Sequence, residues 1–262
     1  MAAFESEKAQ FDRDGFVIVR NLLSSEETEL LAKISRADVN LAETAYGRED
    51  GKGAVVTLAV RNELQQDYYS SIVKSQRIVK RMSALLGDEV YHYHHKLILK
   101  EPRVGGAWEW HQDYGYWYNN GCLTPDMGSC LIAIDRATEE NGCLQVLRGS
   151  HQIGRINHGP IGDQTGADLE RVAVAVERYE TVHVELEPGS AVFFHSNLLH
   201  RSDQNTSENP RWALICCYNT KKNDPYKESR HPGYSPLDTL PDDQLLNAGH
   251  HHLEQLTQQS SG

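Results

Sequence analysis

Apolar positions in the first third of the chain fall mostly at helical spacing. A short opening helix ends at the turn Asp14-Gly15, and Phe16-Val17-Ile18-Val19 follows as an apolar, β-branched run that predicts a buried strand. Ser24 with Glu27 three residues on makes a capping box ahead of Leu30, Leu31 and Ile34, which predicts a helix from about 25 to 37. Asn40 to Asn62 is polar and shows no clear period. Leu64 to Leu86 again sets Ile72, Val73, Ile78, Val79, Met82, Leu85 and Leu86 on one helical face.

From Glu89 the pattern changes to short strands: Val90–Leu99, Cys130–Asp135, Gly142–Leu147, Thr181–Glu185, Ala191–His195 and Arg211–Tyr218. Turn signals such as Glu139-Glu140-Asn141-Gly142 and Pro188-Gly189-Ser190 separate them. Short strands at this spacing after a helical preface predict a mainly β fold with flanking helices, built on a double-stranded β-helix, the cupin-like jelly roll. Gly159 to Arg178 reads as a polar, partly helical insertion. With no repeat and no linker, residues 1–262 read as a single domain: a helical part to about 88, a jelly-roll core from about 89 to 220, and an irregular C-terminal tail.

Charge and composition narrow the partners. With 26 basic and 37 acidic residues the net charge is −11, which repels nucleic-acid phosphate and anionic lipid as a bulk effect and leaves room for a local basic pocket with an anionic substrate; the expected partner is a small-molecule substrate. No apolar run approaches the ~18 residues that cross a bilayer, and Met1 to Asp14 lacks the apolar stretch of a signal peptide. Five cysteines without C-x-x-C spacing read as reduced thiols, and the expected location is cytoplasmic. Oligomeric state is not legible.

The chemistry begins at His111-Gln112-Asp113, where two metal-ligand types stand at i and i+2 and would share a face of an extended strand. His200, reached by a short loop from the strand ending at His195, would complete two histidines and one carboxylate. That set leaves three cis positions open on a ferrous ion, two for a bidentate 2-oxo acid and one for O2, which favours Fe(II) over zinc. H-x-D alone is a common accident in a chain with 13 histidines. Arg211 changes its standing: a guanidinium entering the apolar strand Trp212-Ala213-Leu214-Ile215-Cys216 needs a bidentate carboxylate partner, and the distal carboxylate of 2-oxoglutarate would be one. Ser202 is either a hydroxyl donor to that carboxylate or an ordinary loop serine.

Trp110-His111-Gln112-Asp113, the run from Glu140 to His151 and His200-x-Ser202-x8-Arg211 together resemble the phytanoyl-CoA dioxygenase (PhyH) family, as does the opening Phe11-x3-Gly15-Phe16-Val17-Ile18-Val19. The resemblance spans about residues 8 to 220. It implies the double-stranded β-helix, Fe(II) on His111, Asp113 and His200, and 2-oxoglutarate clamped by Arg211 as co-substrate with O2. It further implies a 2-oxoglutarate contact from the strand upstream of H-x-D, for which Lys96 is the candidate and Lys100 the rival, a solvated edge charge being the plainer reading of either. Related halogenases carry a small residue where Asp113 stands, so hydroxylation of a small organic substrate is expected, with desaturation or cyclisation open.

The aromatic run after the motif either lines a substrate pocket or packs the core, and Tyr114, Trp117 and Asn119 are the substrate candidates. The competing readings are a non-catalytic jelly-roll binding module and a zinc or manganese hydrolase or isomerase that would not need Arg211. His250-His251-His252 is assigned no function.

Overall fold

The computed structural model describes residues 4–259; residues 1–3 and 260–262, including the first three positions of the opening segment, lie outside it. In chain order the elements are α1 (Glu5–Asp14), β1 (Phe16–Val19), α2 (Ser25–Ala37), α3 (Val39–Thr44), β2 (Tyr46–Glu49), β3 (Val55–Arg61), α4 (Tyr68–Val73) and α5 (Gln76–Leu86). Then come β4 (Val90–Lys100), β5 (Trp108–His111), α6 (Asp113–Trp117), β6 (Met127–Ala133), β7 (Leu144–Leu147), β8 (His158–Ile161), β9 (Gln164–Ala167) and α7 (Leu169–Arg178). The last are β10 (Thr181–Val184), β11 (Ala191–His195), β12 (His200–Ser202), β13 (Arg211–Thr220) and α8 (Leu245–Gln259).

Two antiparallel sheets face each other. The larger runs β1-β11-β6-β13-β4-β3-β2 and the smaller β10-β7-β12-β5. The inner strands of the larger sheet, such as β11 and β6, read as continuous apolar runs because both faces are covered. Leu131, Ala133, Val192, Phe194, Ala213 and Ile215 point between the sheets. Their neighbours Cys130, Ile132, Ala191, Phe193, Leu214 and Cys216 point outward into a layer built by α2, α4, α5 and α8.

α2 starts at the capping box read from Ser24 and Glu27. The helical face from Leu64 to Leu86 breaks into α4 and α5 at Lys74-Ser75, where Leu240 exchanges backbone hydrogen bonds with Lys74 and Gln76.

Two regions differ from the sequence reading. Asn40–Asn62 contains the β2–β3 hairpin, so the first 88 residues supply three strands of the larger sheet as well as helices. Asp50 closes that hairpin, its Oδ1 accepting from Lys52 and Ala54 and its Oδ2 from the Ala107 backbone. The C-terminal tail is irregular only as far as Gln244; α8 then buries Leu245, Gly249, His252 and Leu256, one face at helical spacing. His252 Nδ1 accepts the Tyr68 N–H at 3.2 Å, so the histidine run belongs in part to the core. Among the described residues no helix is long and apolar enough to cross a membrane.

Candidate active site

β5 and β12 pair with His111 directly opposite His200, which brings the two imidazoles to 4.0 Å between ring centroids. β5 ends at His111, and Asp113 opens the short helix α6 rather than continuing the strand. The carboxylate still turns back to the histidines: its Oδ1 lies 3.8 Å from His111 Nε2 and 3.9 Å from His200 Nε2. All three side chains are buried, and their ligand atoms lie within 4.8 Å of one another.

The donor set fits a divalent metal ion. Each histidine bonds a backbone carbonyl through Nδ1, His111 to Glu109 and His200 to Leu198, both at 2.8 Å. Nδ1–H is thereby held, and the Nε2 lone pair faces the gap. Burial, joined by the neighbouring His200, pushes the pKa of His111 well below the usual histidine value; burial lowers His200 too, against the pull of Asp113. Neutral imidazoles are what a metal needs. Ser129 Oγ donates to Asp113 Oδ2 at 2.9 Å and so directs Oδ1 to the gap. Ser129→Ala is expected to weaken Fe(II) affinity ~10–100-fold, measured by competition with a chelator; an unchanged affinity would mean that the hydroxyl does not orient the carboxylate.

An inner cavity extends from this set between the sheets. His200, Ser202, Arg211, Ile98, Leu144 and Phe194 are among its lining residues. Arg211 is buried, and its Nε and Nη2 both donate to the Gly142 carbonyl, at 3.1 and 2.6 Å. No carboxylate pairs with it among the described residues. Burial, opposed only by the Cys143 thiol, lowers its pKa to about 10, so it stays a cation at neutral pH.

Lys100 lies directly across the β4–β13 ladder from Arg211, fully buried. Its Nζ donates to Ser202 Oγ at 2.8 Å and to the Asp203 carbonyl. Ser202 therefore accepts from below and keeps its own proton for an acceptor in the cavity. Gly142, at φ 76°, permits this junction: a Cβ there would stand 2.2 Å from the Asp203 oxygen and 3.2 Å from Lys100 Nζ.

An outer cavity of about 320 Å³ opens on the other side of His111 and Asp113. Its walls include Trp108, Tyr116, Trp117 and Asn120. Of the three substrate candidates Trp117 is there, but Tyr114 and Asn119 are not. Tyr114 is turned into the core, its hydroxyl donating to the Cys122 carbonyl at 3.2 Å, and Asn119 is exposed. The reason is α6, whose helical turn puts 113, 116, 117 and 120 on the cavity side and leaves 114 and 119 off it. Gly115 is required for its packing, since a Cβ would stand 2.1 Å from the His158 ring.

Lys96 borders both cavities, on the strand face it shares with Ile98 and Lys100. Ser129 and Gln112 carried no sequence signal. The Gln112 side chain bridges the Gly154 and Asn197 carbonyls and the Ile156 N–H, which ties the motif to two loops.

The phytanoyl-CoA dioxygenase (PhyH) family model matches residues 11–213. The chain belongs to this family. L-proline trans-4-hydroxylase of Streptomyces griseoviridis is 27% identical over 250 residues, covering 89% of this chain and 93% of the relative. Ectoine dioxygenase of Nocardia farcinica is 30% identical over 233 residues, covering 81% and 76%. Among solved structures, EctD from S. alaskensis with 2-oxoglutarate and 5-hydroxyectoine has a TM-score of 0.77 at 24% identity, covering 90% of this chain and 87% of that one. At that identity the likeness speaks for the fold, and it is the jelly-roll fold expected.

As a PhyH member the protein is an Fe(II)- and 2-oxoglutarate-dependent dioxygenase that hydroxylates a small organic substrate, with O2 as oxidant, and not a non-catalytic binding module.

Proposed function

We propose that His111, Asp113 and His200 hold the ferrous ion, that Arg211 and Ser202 take the distal carboxylate of 2-oxoglutarate in the inner cavity, and that the outer cavity receives a polar molecule of amino-acid size. One observation carries the assignment: a buried guanidinium without a carboxylate partner lines the same cavity as a two-histidine, one-carboxylate set. A buried cation of this kind is costly until an anion pairs with it.

The overall reaction is R–H + 2-oxoglutarate + O2 → R–OH + succinate + CO2, with one oxygen atom entering the substrate and the other the new carboxylate of succinate. When bound, iron with 2-oxoglutarate and O2 supplies the oxidising power that breaks the C–H bond. The chain's own residues fix geometry. Arg211 and Ser202 orient the co-substrate from its far end, the apolar walls Ile98, Leu144 and Phe194 keep water from its carbons, and Trp108, Tyr116 and Trp117 confine the substrate beside the ligand set.

Lys100 acts beneath the co-substrate by holding Ser202. Lys100→Met is expected to raise the dissociation constant for 2-oxoglutarate ~2- to 10-fold, the usual worth of one buried hydrogen bond, since Ser202 loses its donor. Calorimetry on the Fe(II)-loaded variant under anaerobic conditions measures it. Affinity equal to wild type would show that Lys100 serves packing alone.

The relatives named for proline and ectoine hydroxylation support a small substrate, as does a cavity at the lower end of small-ligand sites. The test is a screen of amino acids, ectoine, small phosphonates and acyl-CoA esters for stimulated succinate formation. Stimulation by small polar molecules is the expected result; stimulation by acyl-CoA esters alone would contradict it.

A further inference from the structure

The outer cavity is electrically out of keeping with the rest of the molecule. In a chain with net charge −11, its lining contains Arg48 from β2, Lys96 from β4 and Arg230 from the irregular segment before α8. None of the three forms an ion pair with a carboxylate among the described residues. Arg48 and Arg230 stand exposed at the mouth, where unpaired arginines are ordinary; their contacts are the Asp163 carbonyl at 3.3 Å and His231 Nε2 at 3.4 Å. Lys96 is different. It is half-buried, its ammonium makes no hydrogen bond to the protein, and its nearest described partner is the Trp108 ring, 6.0 Å to the centroid.

Two carboxylates border the cavity. Asp113 is committed to the metal set, and Asp163 is exposed at the mouth without an ion pair to any of the three cations. The remaining lining is neutral, apolar side chains such as Leu58 and Val60 with polar ones such as Asn62 and His94, and Nδ1 of His94 is buried without a hydrogen-bond partner. A half-buried ammonium that no protein group pairs, facing a cavity beside the ligand set, is a ready partner for a ligand anion.

We infer that the outer cavity is an anion site: the substrate presents a carboxylate that is drawn in past Arg48 and Arg230 and seated on Lys96, with its oxidisable carbon turned to His111 and Asp113. This rests on the hydroxylase reading and names the substrate class within it. It also distinguishes the two lysines of β4. Four residues of strand set them about 13 Å apart along the chain; Lys100 lies under Ser202 at the inner cavity, whereas Lys96 stands where the two cavities meet and is the one of the two that reaches the outer cavity.

The test compares matched acids and amides, L-proline with L-prolinamide and other amino acids with their amides, for 2-oxoglutarate-dependent succinate formation. The acid is expected to exceed its amide at least ~30-fold in kcat/KM, the loss typical when one partner of a buried charge pair is removed. In Lys96→Gln that ratio falls to near unity. Amides as effective as acids, or a ratio that survives Lys96→Gln, overturns the assignment. A second measurement needs no substrate: quenching by iodide relative to neutral acrylamide, read on the Trp108 component of the fluorescence, defined by difference from Trp108→Phe. Iodide is expected to lose its advantage in Lys96→Gln, and an unchanged ratio counts equally against the anion site. Absence of any iron-dependent succinate formation would strike the hydroxylase reading instead, and the iodide ratio would still decide the anion site.

Discussion

Asp113→Ala is expected to reduce iron affinity and iron-dependent succinate formation each by more than ~100-fold. Loss of a group that merely orients a ligand weakens a metal site 10–100-fold, and removing a ligand exceeds that. The geometry specifies the loss: among the described residues Asp113 alone brings a carboxylate within 4 Å of either histidine Nε2, and Ser129 holds it there. Metal analysis and succinate assay on the same preparation, with circular dichroism to verify folding, measure it. A variant retaining stoichiometric iron and turnover would remove Asp113 from the ligand set. The same holds for His111→Ala.

Arg211→Met is expected to leave iron in place and raise the 2-oxoglutarate requirement. Truncating one side of a buried charged pair costs about 2–5 kcal/mol, which corresponds to a ~30- to 5,000-fold weaker dissociation constant. The Gly142 carbonyl loses both of its guanidinium donors in the variant, so part of the effect is local reorganisation. Arg211→Lys separates the contributions, because an ammonium restores charge without the planar fork and should recover only part of the affinity. A metal-dependent hydrolase would tolerate both changes. Little change in the KM for 2-oxoglutarate would therefore favour that chemistry.

Elements whose signals are local were readable in the chain. β1, α2 and β11 have the boundaries read from an apolar run, a capping box and a Pro-Gly turn, because each is specified within a few residues. α8 escaped since its buried face is set by α2 and α4, far away in sequence, and Gly249 interrupts its pattern for a packing reason: a Cβ there would stand 2.4 Å from Leu30. The β2–β3 hairpin escaped because β2 is exposed throughout and only part of β3 is buried.

At the site, His111, Asp113, His200, Ser202 and Arg211 stood out because their spacing matches the family pattern. The structure brings these five to one place between the sheets. Tyr114 and Asn119 lie away from the outer cavity because the chain changes from strand to helix within the motif itself. Ser129 is an ordinary residue until tertiary contacts give it a partner, and Lys100, the rival to Lys96 in the sequence, owes its bond to Ser202 to the same contacts. The three cations of the outer cavity come from segments that share no local pattern, so an acidic chain hid a basic pocket.

The measurement that bears most directly on the dioxygenase assignment is calorimetric titration of 2-oxoglutarate into Fe(II)-loaded protein without oxygen. One equivalent is expected to bind, with binding lost in His111→Ala and strongly weakened in Arg211→Met. No binding at millimolar 2-oxoglutarate, or binding indifferent to both substitutions, would contradict the account.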